Sequence, residues 1–193
     1  KPVIFLDTRI ETLSSFPYGE KGVQFEARLR LGEMPDGMVP AFYSWMVRKV
    51  EGKSIRDEID FEFLSKEFNH SKPGSPKVSM TSHGLTRFFL YGPTQMESTE
   101  SIPVAGLDLH QFNVYTIRCL PGRTEWYVNG KLVRTYSGIF AMTAEPMYVH
   151  LSIWKPSPTW SRAYDGGLLP AKTPAENRRF TLDVDYVRVQ SIR

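Results

Sequence analysis

The feature that most limits how this chain can fold is a period of two. Run after run alternates apolar with polar residues, and no 12-residue stretch carries a helical repeat. Phe25-Glu26-Ala27-Arg28-Leu29-Arg30-Leu31 reads as a strand with one face buried, and Asn113-Val114-Tyr115-Thr116-Ile117-Arg118 repeats the pattern. The runs 124–128 and 131–136 flank Asn129-Gly130, the preferred dipeptide of a two-residue type I′ turn, so they form a hairpin. Further strands are expected over 3–6, 41–47, 59–64, 78–81, 86–90, 147–154 and 180–189. Met34-Pro35-Asp36-Gly37 reads as a turn, and 68–77, with its prolines and glycine, as a loop. About ten short strands without a repeat or a linker predict an all-β sandwich or jelly roll, one domain over residues 1–193.

Composition narrows the functional classes. Aromatic residues make up 13% of the chain, the proportion expected of many short strands with aromatic faces. A hydrophobic content of 41% excludes wholesale disorder. No apolar run is long enough for a membrane-spanning helix, so membrane insertion is not expected. The net charge of +3 is spread along the chain, which argues against a nucleic-acid partner. Cys119 is the single cysteine, which excludes an intrachain disulfide and a cysteine-based zinc site. No charged-then-apolar leader opens the sequence, so a secreted form would have lost its leader already. A monomer is expected.

The most informative segment is Asp57-Glu58-Ile59-Asp60-Phe61-Glu62-Phe63-Leu64. In a strand, Glu58, Asp60 and Glu62 share one face while Ile59, Phe61 and Phe63 share the other. Three like charges on one face oppose folding, and a purely structural strand gains nothing from them. Crowded carboxyls push their pKa values apart, so one holds a proton near neutral pH beside an ionised neighbour. Glycoside hydrolysis requires such a pair. In a flat strand the Glu58 and Glu62 Cα atoms lie about 13 Å apart, so a retaining reaction needs the strand curved towards this face. A solvated outer face and a calcium site of oxygen ligands are the alternative readings.

Glu58-Ile59-Asp60-Phe61-Glu62 resembles the Glu-x-Asp-x-Glu signature of glycoside hydrolase family 16. It has the short form found in lichenases, plant xyloglucan endotransglucosylases and fungal cell-wall transglycosylases. Tyr18-Gly19, Phe25-Glu26-Ala27-Arg28-Leu29, Pro40-Ala41-Phe42-Tyr43 and Tyr115-Thr116-Ile117 are similar to that family's strands around the cleft. The hairpin around Asn129-Gly130, Leu151-Ser152-Ile153-Trp154, Gly166-Gly167-Leu168 and Asp185-Tyr186-Val187-Arg188-Val189 extend the resemblance over nearly the whole chain. It implies a concanavalin A-like β-jelly roll with a curved substrate groove. It also implies Glu58 as nucleophile, Glu62 as general acid and then base, and Asp60 tuning both, with retention of configuration. No cofactor is required, structural calcium being the one metal role left open. The partner is a polysaccharide or oligosaccharide, and the location is secreted, cell-wall or periplasmic.

Sugar rings present apolar faces and hydroxyl edges, so aromatic platforms beside polar side chains are the candidates for binding them. Trp154 and Trp160 bracket the loop-like Lys155-Pro156-Ser157-Pro158-Thr159, Tyr43 and Trp45 share a strand face, and Trp126 reads as core. Arg9 corresponds to a cleft arginine of the family, and His83 stands where relatives often carry an aromatic. Two positions depart from the family: Thr81 and Lys155 stand where relatives commonly carry Asn. Lys155 is a candidate contact for an acidic or substituted glycan. The chain also starts later than most relatives, so one or more N-terminal strands are expected to be missing and an edge open. Asn69-His70-Ser71 is a glycosylation sequon. The reading is a retaining endo-glycosidase on a β-linked glucan, β-1,3-1,4-linked or related. A transglycosylase is the alternative, suggested by Gly166-Gly167-Leu168, and a non-catalytic glycan-binding sandwich is the other.

Overall fold

The structure, a computed structural model, describes residues 7–18, 20–88, 92–137 and 146–192. Among the described residues eleven strands alternate with turns: β1 (Thr8–Glu11), β2 (Val23–Leu31), β3 (Val39–Val50), β4 (Lys53–Glu62), β5 (Lys77–Phe88), β6 (Gly92–Pro103), β7 (Asn113–Leu120), β8 (Arg123–Val128), β9 (Lys131–Tyr136), β10 (Tyr148–Trp154) and β11 (Leu182–Ser191). One helical turn, α1 (Ser65–Phe68), follows β4, and a short 3-10 turn spans Pro174–Glu176.

The strands form two antiparallel sheets. One has the order β1-β10-β3-β4-β5-β6, the other β11-β2-β7-β8-β9. This is the jelly-roll sandwich expected from the alternation. Apolar residues facing inward from both sheets make the core: Phe25, Leu29 and Ile117 from one, Phe42, Ile59, Phe61 and Met80 from the other. Tyr115 packs edge-on between Phe61 and Phe63 at 5.3 and 5.0 Å. The β8–β9 hairpin turns at Asn129 and Gly130, with φ of 50° and 76°, the left-handed pair that a type I′ turn demands. Glu51 and Gly52, at φ 50° and 80°, make an equivalent turn between β3 and β4 that the sequence shows only as a polar break.

Several strands differ from the expectation. The strand expected over 3–6 lies outside the described residues, and β1 begins at Thr8 instead. The run 78–81 and residues 86–88 of the next belong to one strand, β5, carried through Ser82-His83-Gly84 by pairing with β6, while residues 89–90 lie outside the described residues. Strand β6 was not expected. Its mostly polar sequence suits its place at the end of its sheet among the described residues, where a strand has less to bury. At the opposite end β1 and β11 each have one partner strand among the described residues. Ile10 on β1 and Val184 and Val187 on β11 are exposed.

Candidate active site

Strand β4 lies in the interior of its sheet, flanked by β3 and β5. Its inward row, Ile59 and Phe61, is fully buried, so the opposite row of Glu58, Asp60 and Glu62 faces the outer surface of the sandwich. Neighbouring strands place Trp45 and His83 beside Glu58, Tyr43 and Thr81 beside Asp60, and Ala41 and Ser79 beside Glu62. The backbone is pinned from below, where the buried Trp126 donates its indole N–H to the Asp60 carbonyl at 2.8 Å. The Arg134 guanidinium stacks on that indole at 4.8 Å. Trp126 is thus core, as its hairpin position suggested, but core that holds the acidic strand.

The three carboxyls differ in their surroundings. Asp60 is buried. Its Oδ1 accepts the Thr81 backbone N–H at 2.9 Å, and its Oδ2 has no hydrogen-bond partner among the described residues. Burial, and then the charges of Glu62 and Glu58, drive its pKa well above the usual range. Burial followed by the Glu58 charge pushes Glu62 up to about 8. Glu58 is raised by burial too, but Arg56 opposes the rise, with Nε 3.3 Å from Oε2. The row therefore sets two carboxyls raised by burial and like charge, Asp60 and Glu62, beside one, Glu58, whose rise a guanidinium opposes.

Two cavities meet at this row, and Glu58, Glu62 and Trp154 line both. One, of about 350 Å³, extends past Arg9, Tyr43 and Ser152. The other, of about 460 Å³, extends past Arg56, Glu97, Trp160 and Arg162. Trp154 and Trp160 stack at 5.6 Å and 25° beside the carboxyls. Tyr43 lies parallel to His150 at 4.8 Å, Trp45 meets the same imidazole edge-on at 5.7 Å, and Arg9 covers Trp45 at 5.9 Å.

Residues 6–183 match the family model of the glycosyl hydrolases family 16. The chain belongs to this family. Similar solved structures include a β-1,3-1,4-glucanase (lichenase) from a mouse hindgut metagenome, with TM-score 0.63 and 22% identity, covering 95% of this chain and 71% of that one. A Bacillus licheniformis β-glucanase gives 0.61 and 20%, over 97% and 71%. The Crh5 transglycosylase in complex with NAG gives 0.62 and 22%, over 97% and 69%. No curated protein matches the sequence significantly.

In this family 16 glycosyl hydrolase the signature acids, Tyr43, Trp154, Trp160 and Arg9 each border one or both of the cavities. Trp45 stands beside them in register, contacting Arg9 and His150. His83 faces Glu58 in backbone register, while its side chain lies outside the described residues. Lys155 does not join them. Its ammonium lies over the Tyr164 ring at 4.5 Å and its backbone N–H donates to Asp7 at 3.1 Å, so it lines neither cavity. Among the described residues, no group of three His, Cys, Asp or Glu is arranged to hold a metal ion.

Sequence reasoning missed four residues. Arg56 was legible, since it precedes Glu58 by two residues on one strand face. His150 was legible too, four residues before Trp154 on β10. It is buried, which lowers its pKa, and Nδ1 lies 3.5 Å from Glu11. Glu97 sits on the unexpected β6. Arg162 comes from an irregular segment with no periodic signal and is held by Glu67 at 2.9 Å.

Proposed function

We propose that this enzyme is a retaining endo-glycosidase acting on a β-linked glucan through Glu58, Glu62 and Asp60. The observation that carries the reading is the placement of the row: Glu58 and Glu62 line both cavities, with the Arg56 guanidinium 3.3 Å from Glu58, while burial and the Glu58 charge push the Glu62 carboxyl up to about 8. In the first displacement the Glu58 carboxylate attacks the anomeric carbon. The glycosidic C–O bond breaks, and Glu62 gives its proton to the departing oxygen. Glu62, now a carboxylate, takes a proton from water. That oxygen attacks the same carbon, Glu58 leaves, and two inversions retain the configuration. Asp60, between the two, raises the proton affinity of its neighbours by its charge and lowers it when it is itself protonated.

The stacked Trp154–Trp160 pair and Tyr43 supply apolar platforms for sugar rings on the two sides of the row. No cofactor enters this chemistry. The reading takes residues 1–193 as one catalytic domain, monomeric and working outside the cytoplasm, where such polymers occur.

Transglycosylation is the second reading. The cavity of about 460 Å³ beside Glu62 leaves room for a sugar acceptor in place of water, and the similarity to the Crh5 transglycosylase favours it. The test is product analysis on mixed-linkage glucan, xyloglucan and laminarin with labelled oligosaccharide acceptors, comparing wild type with Glu58→Gln. Cleavage that disappears in the variant supports the nucleophile, and labelled products assign transfer. Glycan binding without cleavage by the wild type contradicts the enzymatic reading. The rate of a cleaving wild type falls on the alkaline side as Glu62 ionises near pH 8. On the acidic side it falls as Glu58 takes up a proton.

A further inference from the structure

Two glutamates of the same strand, four residues apart and both withdrawn from water, must hold opposite protonation states for the proposed chemistry. Burial by itself raises both, so something local has to separate them. We infer that Arg56 is a positioning residue for the nucleophile: its guanidinium, paired with Glu58, keeps that carboxylate charged. The inference rests on the reading of Glu58 as nucleophile.

The geometry favours Glu58 over Glu62. Arg56 lies two residues from Glu58 and six from Glu62 on the same face of β4, so Coulomb attraction falls mainly on Glu58. The Nε–Oε2 separation is 3.3 Å; the Glu58 side chain is 15% exposed and that of Arg56 45%, so water reaches the guanidinium and screens the pair in part. Among the described residues, the other charged and titratable groups around Glu58 are Asp60 and Glu62 on β4, Tyr43 on β3, Glu97 on β6, and Arg9 and Arg162 on the walls of the two cavities. Of these, Glu97 opposes ionisation of Glu58 by its charge. Arg9 is 3.6 Å from Glu11 and Arg162 2.9 Å from Glu67, so each already faces an acid outside the catalytic row. Arg56 also borders the cavity that contains Trp160, so its charge stands at the cleft wall, and its contact with Glu58 is an ion pair.

The test uses the whole chain labelled with 13C at the glutamate carboxyls. The Glu58 resonance is assigned by its loss in Glu58→Gln. Arg56→Gln is expected to raise the Glu58 titration midpoint by about one pH unit. Arg56→Lys, which keeps the charge, holds the midpoint near the wild-type value. The acidic limb of kcat/KM moves with the midpoint, and the alkaline limb moves less. A Glu58 midpoint that does not move in Arg56→Gln overturns the inference. So does an Arg56→Gln enzyme with raised KM and an unmoved acidic limb, which makes Arg56 a sugar contact. Undiminished cleavage by Glu58→Gln refutes the nucleophile reading instead, so the two failures are distinguishable.

Discussion

The two sheets are written in the same alternating pattern and put their outward charges to different uses. On the β11-β2-β7-β8-β9 sheet, acids meet bases in water. Arg30 pairs with Asp183 at 2.9 Å with both side chains more than 40% exposed, and Arg188 lies 3.6 Å from Glu26. Glu125 loses hydration to burial, yet hydrogen bonds from Arg123 and Tyr127 outweigh that loss and hold its pKa below the usual range. On the cleft sheet, Glu58, Asp60 and Glu62 crowd one buried row, and all three pKa values rise. Charge alone therefore does not mark a site. Charge that is buried among like charges does, because folding gains nothing from keeping it there.

The sharpest way to break this contrast is to neutralise one acid on each sheet. Glu62→Gln should cut glycan cleavage by about 10²–10⁴-fold, and Glu58→Gln by at least as much. Asp183→Asn should leave the rate unchanged. Equal losses on both sheets would mean that the cleft acids matter only for folding.

Next in size is the link between the sheets. Trp126→Ala removes a fully buried indole and the hydrogen bond to the Asp60 carbonyl, so unfolding free energy in urea should fall by about 3–5 kcal/mol. A loss below about 1 kcal/mol would show that β4 is held without it.

A smaller effect separates function from stability. The folded-state pKa of Glu62 lies above its unfolded value, so the folded state binds the extra proton between about pH 4.5 and 8. Stability must therefore fall as pH rises through that window. Glu62→Gln removes the penalty, and its Tm at pH 8 should exceed the wild-type value by about 3 °C or more. A lower Tm would show that the carboxylate is stabilised by partners. The smallest effect belongs to the exposed pair, where Asp183→Asn should cost less than about 1 kcal/mol and less still at high salt.

What the sequence disclosed follows the same division. Alternation made Ile59 and Phe61 legible as core and Glu58, Asp60 and Glu62 as one row, because a strand's two faces are fixed by parity. Asn129-Gly130 was legible because few residues tolerate the dihedrals of that turn. Strand β6 was not, since an edge strand of Thr, Ser, Glu and Gln buries too little to leave an apolar trace. Arg162 and the placement of Lys155 were not, because an irregular segment directs each side chain by tertiary contacts: Glu67 for the first, Tyr164 for the second. His150 was within reach by parity with Trp154, but its role in backing Tyr43 and Trp45 needed β10 placed beside β3.

The most direct test of the account is to react the enzyme with a 2-fluoro-2-deoxy β-glucosyl substrate bearing an activated leaving group and map the adduct by peptide mass spectrometry. The account predicts one sugar per chain, on the peptide containing Glu58 and absent in Glu58→Gln, with natural substrate releasing the β-anomer first. An adduct on another residue, or release of the α-anomer first, would contradict it.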